Sequence, residues 1–257
     1  MDLPDQRRRA VEPYLKFVRL IEDDVPLDTR VAHILDEFTE SEFEELADHL
    51  GAADVQAGVS VPTVHLQRAW VRDAISDLAA DGHSIVLHGQ LHTSYMETSY
   101  ETAHDELSAA IDTIQAEIGE RPVGFHVPYS RVSSETVRAA ADLGVEWIVG
   151  DLSDDETAVS QGSPAIVTPL RPYDLHRLER GTDPERVFDA IADEASDSSL
   201  LLFHPNILAS YDSLSTFGSW IADRVLRSPD DLVSKTGDGP GLLLDVFPPF
   251  TVAKSLS

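Results

Sequence analysis

The chain has 257 residues, of which 42% are hydrophobic, and this length can bury one sizeable core. A formal net charge of -27 predicts a surface that repels nucleic acid and anionic membranes, so neither is expected as a partner. The sequence contains no cysteine, which excludes disulfides and thiolate metal sites. Any bound metal must therefore use histidine and carboxylate ligands.

The acidic residues are spread over the predicted helix faces, and lysine is rare, at residues 16, 235 and 254 only. Recognition of a basic partner is one reading of this charge. The favoured reading is a solvated surface typical of a halophile's cytoplasmic protein, because a Debye length of about 3 Å at 1 M salt screens the self-repulsion.

We therefore expect the protein to be more stable in molar potassium chloride than in dilute buffer, because screening weakens the repulsion between its carboxylates. Thermal unfolding measured across a potassium chloride series checks this. Equal stability at low salt would contradict it.

The N-terminal segment carries Arg7-Arg8-Arg9 but is followed by Val11-Glu12-Pro13, without a continuous apolar region or a small-residue cleavage site. Nothing approaches eighteen consecutive apolar residues. These features predict a soluble, cytoplasmic protein without an export signal.

Short apolar runs next to turn or polar residues predict strands. In chain order they are residues 15–21, 55–61, 84–87, 123–125, 145–149, 165–169, 200–203 and 241–246.

Helix signals fall between these strands. Thr39 with Glu42 and Thr98 with Glu101 match the capping-box pattern, Ser133 or Ser134 caps a short helix, and Asp183-Pro184 starts another. Residues 67–80 also predict a helix, whereas 151–164 and 228–240 are interpreted as loops. The alternation of strand and helix predicts an α/β fold, either a closed parallel barrel or a doubly wound sheet.

Five polar clusters directly follow predicted strands, and the carboxyl ends of barrel strands are where such folds hold their chemistry. These clusters are Asp23-Asp24, His88 with His92, His126-Val127-Pro128-Tyr129, Asp151 and His204. Their placement indicates a metal-dependent hydrolase.

His88 and His92 are four residues apart, a spacing that suits two ligands of one zinc ion, and Gly89 lets the chain turn sharply after the strand. Core or surface histidines are the alternative for this pair. The remaining histidines, including His65 and His83, are interpreted as structural or surface residues.

Asp23-Asp24 lies between a predicted strand and Pro26, so one carboxylate could complete a metal site while the other acts as a base. Glu22 is a rival for either role. His204 ends an apolar strand and is suited to protonate a leaving amine, although a core histidine is the alternative. Tyr129 could offer a ring or a backbone amide to the substrate, or simply pack.

Taken together, these motifs resemble the polysaccharide deacetylase superfamily, the NodB-homology domain of family-four carbohydrate esterases. The family's Thr-Phe-Asp-Asp-Gly-Pro corresponds to residues 21–26, its His-x-x-x-His to 88–92, its Arg-x-Pro-Tyr to 126–129 and its Leu-x-His to 202–204. The resemblance covers about residues 15–205. It implies one domain over residues 1–257, a distorted seven-stranded (β/α) barrel with a C-terminal helix and strand over 206–257.

By this resemblance Asp24, His88 and His92 would bind Zn²⁺ or another divalent ion, Asp23 would be the catalytic base and His204 the acid. His126 and Tyr129 would lie against the substrate or the oxyanion. His126 departs from the family, whose arginine at this position makes a two-pronged contact that imidazole cannot make. Arg131 or Arg171 could replace that arginine, with Asp151 as the acidic partner.

The leading hypothesis is hydrolysis of an N-acyl group from a small sugar or related amide, a cyclic amide or imide being the closest variant. Cytosolic members of the superfamily are more often small-molecule C–N hydrolases. The loss of the arginine favours a different alternative, a non-catalytic metal-holding domain that binds carbohydrate or has a regulatory role. A glycosidase that uses Asp23 and Asp151 without metal is a third reading.

Overall fold

The structure, a computed structural model, describes residues 39–152, 162–178 and 182–246. The first predicted strand and the Asp23-Asp24 cluster lie outside the described residues. The other seven predicted strands are all described.

Seven parallel strands form one curled, barrel-like sheet, as expected for the α/β class. Their spatial order is β5-β4-β3-β2-β1-β7-β6. The strands are β1 (Gly58–Val61), β2 (Ser84–Leu87), β3 (Gly124–Val132), β4 (Trp147–Leu152), β5 (Ala165–Val167), β6 (Leu200–Phe203) and β7 (Gly241–Asp245).

Helices connect the strands and cover the outside of the sheet. A 3-10 helix spans Thr63–Gln67. The α-helices among the described residues are α1 (Glu40–Ala53), α2 (Ala69–Ala80), α3 (Tyr100–Ile118), α4 (Ser134–Asp142), α5 (Asp174–Leu178), α6 (Pro184–Glu194), α7 (Pro205–Ser210), α8 (Leu214–Ala222) and α9 (Pro229–Ser234).

The helix starts follow the capping chemistry of the sequence, with one shift. The Thr39 hydroxyl accepts from the Glu42 amide, and the Glu42 carboxylate accepts from the Thr39 amide, so the first capping box is confirmed. The second was placed one residue too early. Ser99 caps α3, because the Thr98 hydroxyl donates instead to the Ser94 carbonyl at 3.2 Å.

The prediction of a plain loop over residues 228–240 was wrong, because this segment contains α9. The Ser228 hydroxyl accepts from the Asp231 amide at 3.2 Å, and proline at the first helical position suits the start. Asp230 then accepts from the Trp147 indole at 2.6 Å and also contacts the Ser84 hydroxyl. Because Ser84 and Trp147 begin their strands, α9 packs at the amino end of the sheet.

The sheet curls until its two edges approach each other. The Leu170 amide, just beyond β5, donates to the carbonyl of Leu200 in β6 at 2.8 Å. Strand β7 is an interior strand and not an edge strand, because it pairs with both β1 and β6. The C-terminal strand, expected to follow a core ending near residue 205, is thus part of the described sheet.

Side chains alternate between the two faces of each strand, and the burial clusters follow this alternation. In β6, Leu201 and Phe203 belong to the large cluster shared with the helices, whereas Leu200 and Leu202 belong to a smaller cluster with Trp147. The smaller cluster fills the inside of the curled sheet. Its space is limited, since a Cβ added at Gly124 would lie only 2.0 Å from the Trp147 ring.

No helix among the described residues is long and apolar enough to cross a membrane.

Candidate functional site

The alternation of side chains brings several polar residues to the inside of the sheet at its carboxyl end. In each strand the neighbouring residues point outward into the helix-covered core, so the polar residue itself points inward. The inward-facing polar residues at or just beyond the strand ends are Ser60, His88, His126, Asp151, His204 and Asp245.

His88, His92 and Asp245 form the centre of this group. Each offers one ligand atom, and these atoms all lie within 4.8 Å of one another. His88 directly follows β2, and the positive φ values of Gly89 (73°) and His92 (52°) turn the loop so that the second imidazole returns toward the first. The two rings meet edge to face, with centroids 4.6 Å apart.

The donor set fits a divalent cation. His88 Nδ1 lies 2.6 Å from the carbonyl of His126, to which it donates, so its Nε2 faces Asp245 Oδ2 at 3.3 Å. Ligand atoms bound at about 2.0–2.1 Å to tetrahedral zinc are about 3.3 Å apart. His88 Nε2, His92 Nδ1 and Asp245 Oδ1 are buried without a hydrogen-bond partner in the described part of the chain.

Burial and neighbouring charges determine the protonation states of His92 and Asp245. It lowers the pKa of His92 to about 3, with a further decrease from the neighbouring His88 charge. Burial alone would raise the pKa of Asp245, but the imidazoles of His88, His126 and His204 lower it. A neutral imidazole beside an ionised carboxylate is the state in which both bind metal.

Asp245 was not recognised as a site residue from the sequence, although its strand was predicted. It is the acidic residue that ends the apolar run Leu242-Leu243-Leu244, the same signal that singled out His204. Asp24 was expected to complete the metal site, and Asp23 to act as the base. Both lie outside the described residues, so the described third ligand candidate is Asp245.

His204 is held by a carboxylate that the sequence reading also missed. Asp174 in α5 is fully buried, and its two oxygens accept from the His204 amide at 2.6 Å and from His204 Nδ1 at 2.7 Å. Burial alone would lower the pKa of His204, but the Asp174 carboxylate outweighs it and raises the pKa. His204 Nε2 lies 4.0 Å from Asp245 Oδ2, so this ring nitrogen faces the candidate metal centre.

His126 is buried and packs against His88, one of the candidate ligands. Its ring stacks on His88 with centroids 4.4 Å apart and an interplanar angle of 16°. Its Nδ1 lies 3.1 Å from the Ser60 hydroxyl. Burial, followed by the charge of His88, holds the pKa of His126 well below its usual value, so the ring is neutral.

Tyr129 lies in an irregular part of β3, where the register with β4 shifts between His126 and Arg131. Tyr129 and Ser130 have positive φ values of 64° and 54°, which turn the strand locally. The Tyr129 ring meets His92 edge to face at 4.8 Å, so Tyr129 borders the candidate metal centre.

Of the two arginines considered as replacements for the family arginine, Arg171 pairs with Asp151, at 2.6 Å. Arg171 also donates to the Tyr173 hydroxyl, which in turn donates to Ser130. Arg131 is exposed and lies opposite Asp151 in the register of β3 and β4. The Arg171 network therefore joins the irregular segment of β3 to the rim of the site.

His65 was interpreted as structural or surface, and it is fully buried in the 3-10 helix. Burial lowers its pKa to about 3, with smaller effects from Arg68, Asp245 and His88. His65 is thus electrostatically coupled to the candidate metal centre, which the sequence reading did not anticipate.

The fold and the site define an α/β barrel-like protein with a candidate metal centre at the carboxyl ends of its strands. The family model for polysaccharide deacetylase matches residues 23–148, just under half of the chain. The match and the fold together support a relationship of the chain to the polysaccharide deacetylase superfamily. No curated protein is significantly similar in sequence.

Solved structures share the fold at low identity. A "T48 deacetylase with substrate" is 17% identical, with a TM-score of 0.55 over 79% of this chain and 89% of that one. A family 4 acetyl xylan esterase from Clostridium thermocellum, in complex with a cobalt ion, is 17% identical, with a TM-score of 0.52 over 78% and 87%.

A third neighbour is a CE4 family pseudoenzyme from Bacillus anthracis, which is 13% identical, with a TM-score of 0.51 over 86% of this chain and 62% of that one. A mutant of the same protein has restored enzymatic activity. The fold therefore occurs both in enzymes and in a protein described as inactive.

Proposed function

We propose that this protein is a divalent-metal-dependent hydrolase of a carbon–nitrogen amide bond, acting as an N-deacetylase on a small sugar or a related N-acyl compound. The observation that carries the proposal is the buried group of His88, His92 and Asp245 beside the His204–Asp174 pair. This group provides ligands and a proton donor at the same end of the sheet. The family match supports the same reaction class.

In the proposed reaction, His88, His92 and Asp245 would hold the ion, which when bound supplies a Lewis acid and a water of lowered pKa. Asp23, by resemblance, takes the proton of the attacking water. The water oxygen bonds to the acyl carbon, and the carbon–nitrogen bond then breaks.

His204 is suited to protonate the departing nitrogen. His204 Nδ1 donates its proton to the hydrogen bond with Asp174. The proton available for transfer is therefore on Nε2, which faces the metal ligands. This Nε2, 4.0 Å from Asp245, is close enough to reach a bound substrate. The raised pKa of His204 keeps the imidazolium available near neutral pH.

The site also favours a small acyl group. His88 is fully buried and His92 is 4% exposed, whereas the His204 side chain retains 16%. Access near His204, with the ligands deeper, suits an acetyl group entering toward the metal. We further propose that the protein acts in the cytoplasm.

The direct test is acetate release in molar potassium chloride, after loading with zinc or cobalt. The panel contains N-acetylglucosamine, its short oligomers and simple N-acetyl amines, and ring opening of cyclic amides and imides is measured in parallel. We expect turnover of a small amide that is lost after chelation and regained with metal. Absence of both binding and hydrolysis would reject the proposal.

A non-catalytic metal-holding domain, carbohydrate-binding or regulatory, is the second candidate, favoured by His126 at the family's arginine position and by the pseudoenzyme neighbour. Stoichiometric metal with no hydrolysis of any panel compound would support it. The glycosidase reading is less favoured, because Asp151 accepts from Arg171 and from Thr168 and is thus engaged in structural contacts.

A further inference from the structure

Ser60 lies in β1, between β2, which His88 follows, and β7, which contains Asp245. It is fully buried in β1, and its Cα lies opposite that of Asp245 in the register of β1 and β7. Its hydroxyl contacts Leu244, which precedes Asp245 in the chain, and His126, whose carbonyl accepts from His88.

The first contact joins Ser60 to β7. The Ser60 hydroxyl donates to the carbonyl of Leu244 at 3.1 Å. Leu244 directly precedes Asp245, so this bond fixes the peptide from which the carboxylate projects. A serine hydroxyl has one hydrogen, and this bond uses it.

The second contact joins Ser60 to β3, and it determines a tautomer. Because the hydroxyl hydrogen goes to Leu244, the 3.1 Å contact with His126 Nδ1 requires that nitrogen to be the donor. Neutral His126 therefore carries its proton on Nδ1. The same residue accepts from His88 Nδ1 through its carbonyl at 2.6 Å and stacks on the His88 ring.

We propose that Ser60 is a positioning residue that holds His88 and Asp245 at metal-binding distance through His126 and Leu244. This inference rests on the proposed metal site. The Ser60 hydroxyl joins β1 to β3 through His126 and to β7 through Leu244. The carbonyl of His126 in turn orients His88, the ligand that follows β2. The 3.3 Å separation of His88 Nε2 and Asp245 Oδ2 is the geometry that it maintains.

The test is zinc and cobalt affinity of Ser60→Ala, measured by competition with a chelating dye. We expect affinity about 10–100-fold lower than in the wild type, the range for loss of a group that orients a ligand. Ser60→Thr keeps the hydroxyl, and we expect it to remain within about threefold. The visible spectrum of the cobalt form should change in Ser60→Ala.

Ser228→Ala is the matched control, because it removes another buried serine hydroxyl, the cap of α9 at the amino end of the sheet. We expect it to lower the melting temperature and to leave metal affinity unchanged. If Ser60→Ala binds as tightly as Ser228→Ala, the inference is overturned. If the wild type binds no metal, it is instead the proposed function that fails.

A second measurement works even where Ser60→Ala does not fold. Nitrogen-15 NMR of the metal-free wild-type protein should show His126 as the Nδ1–H tautomer. His126→Asn places an amide donor near the position of Nδ1, so we expect it to bind metal more tightly than His126→Leu. The opposite tautomer, or equal affinities of the two variants, would contradict the role assigned to Ser60.

Discussion

Asp245→Asn is expected to lower the affinity for zinc by at least about 100-fold, because a coordinating carboxylate contributes more than the outer groups whose loss costs 10–100-fold. The substitution preserves size and removes the charge that faces His88 Nε2. Calorimetric titration of the chelator-treated protein with zinc, in molar potassium chloride, measures this loss. His88→Ala should have a comparable effect.

Two further variants make the comparison specific. Asp151→Asn is the matched control, because Asp151 faces the same end of the sheet but pairs with Arg171, so zinc affinity should stay within about threefold. Asp24→Asn tests the ligand expected from the family motif. Wild-type affinity in Asp245→Asn, together with loss in Asp24→Asn, would show that the N-terminal motif closes the site instead.

His204→Asn is expected to lower kcat for amide hydrolysis by about 10²–10⁴-fold, the usual contribution of a positioned proton donor. The asparagine amide can still donate to Asp174, so the buried carboxylate keeps a partner, but the acid at Nε2 is lost. Zinc stoichiometry should remain that of the wild type. Steady-state kinetics on the best panel substrate, with metal analysis of the same sample, checks both statements.

His83→Asn is the control for removal of a buried imidazole away from the site. His83 Nδ1 accepts from the Ala57 amide at 3.1 Å, and the Oδ1 of asparagine can accept in its place, so the substitution removes the buried ring without touching the metal centre. We expect lower stability and unchanged kcat. Hydrolysis at the wild-type rate in His204→Asn would remove His204 from the mechanism.

The strand-end residues were predictable because period-two alternation needs no tertiary information. His88 and His204 follow short apolar runs, and their neighbours fill the core, so an inward direction follows from the sequence. Asp245 obeys the same rule. It was overlooked because the generally acidic background made one more aspartate uninformative, not because its strand was missed.

Other parts of the site depend on contacts that no local pattern encodes. Asp174 comes from a short helix, and its pairing with His204 depends on how that helix packs against β6. The contact between Ser60 and His126 spans two strands that are not neighbours, with β2 between them. Such contacts require the strand order, which alternation alone does not provide.

The loop assigned to residues 228–240 shows the limit of composition as a guide. Its Asp, Gly and Pro content is typical of a surface loop, yet Ser228 and Pro229 also form a good helix start. The helix is stabilised by tertiary contacts, since Leu232 joins the cluster inside the sheet. Burial of an apolar residue outweighed a weak local preference.

The pairing of β7 with β1 inside the sheet has a consequence for biosynthesis. Among the described strands β1 is made first and β7 last, so the two pair only after the other described strands have been synthesised. Pairing over so long a sequence separation slows folding. The three-residue group of His88, His92 and Asp245 would therefore be assembled only after β7 has been made, and a nascent chain that stops before Asp245 would lack one of its ligands.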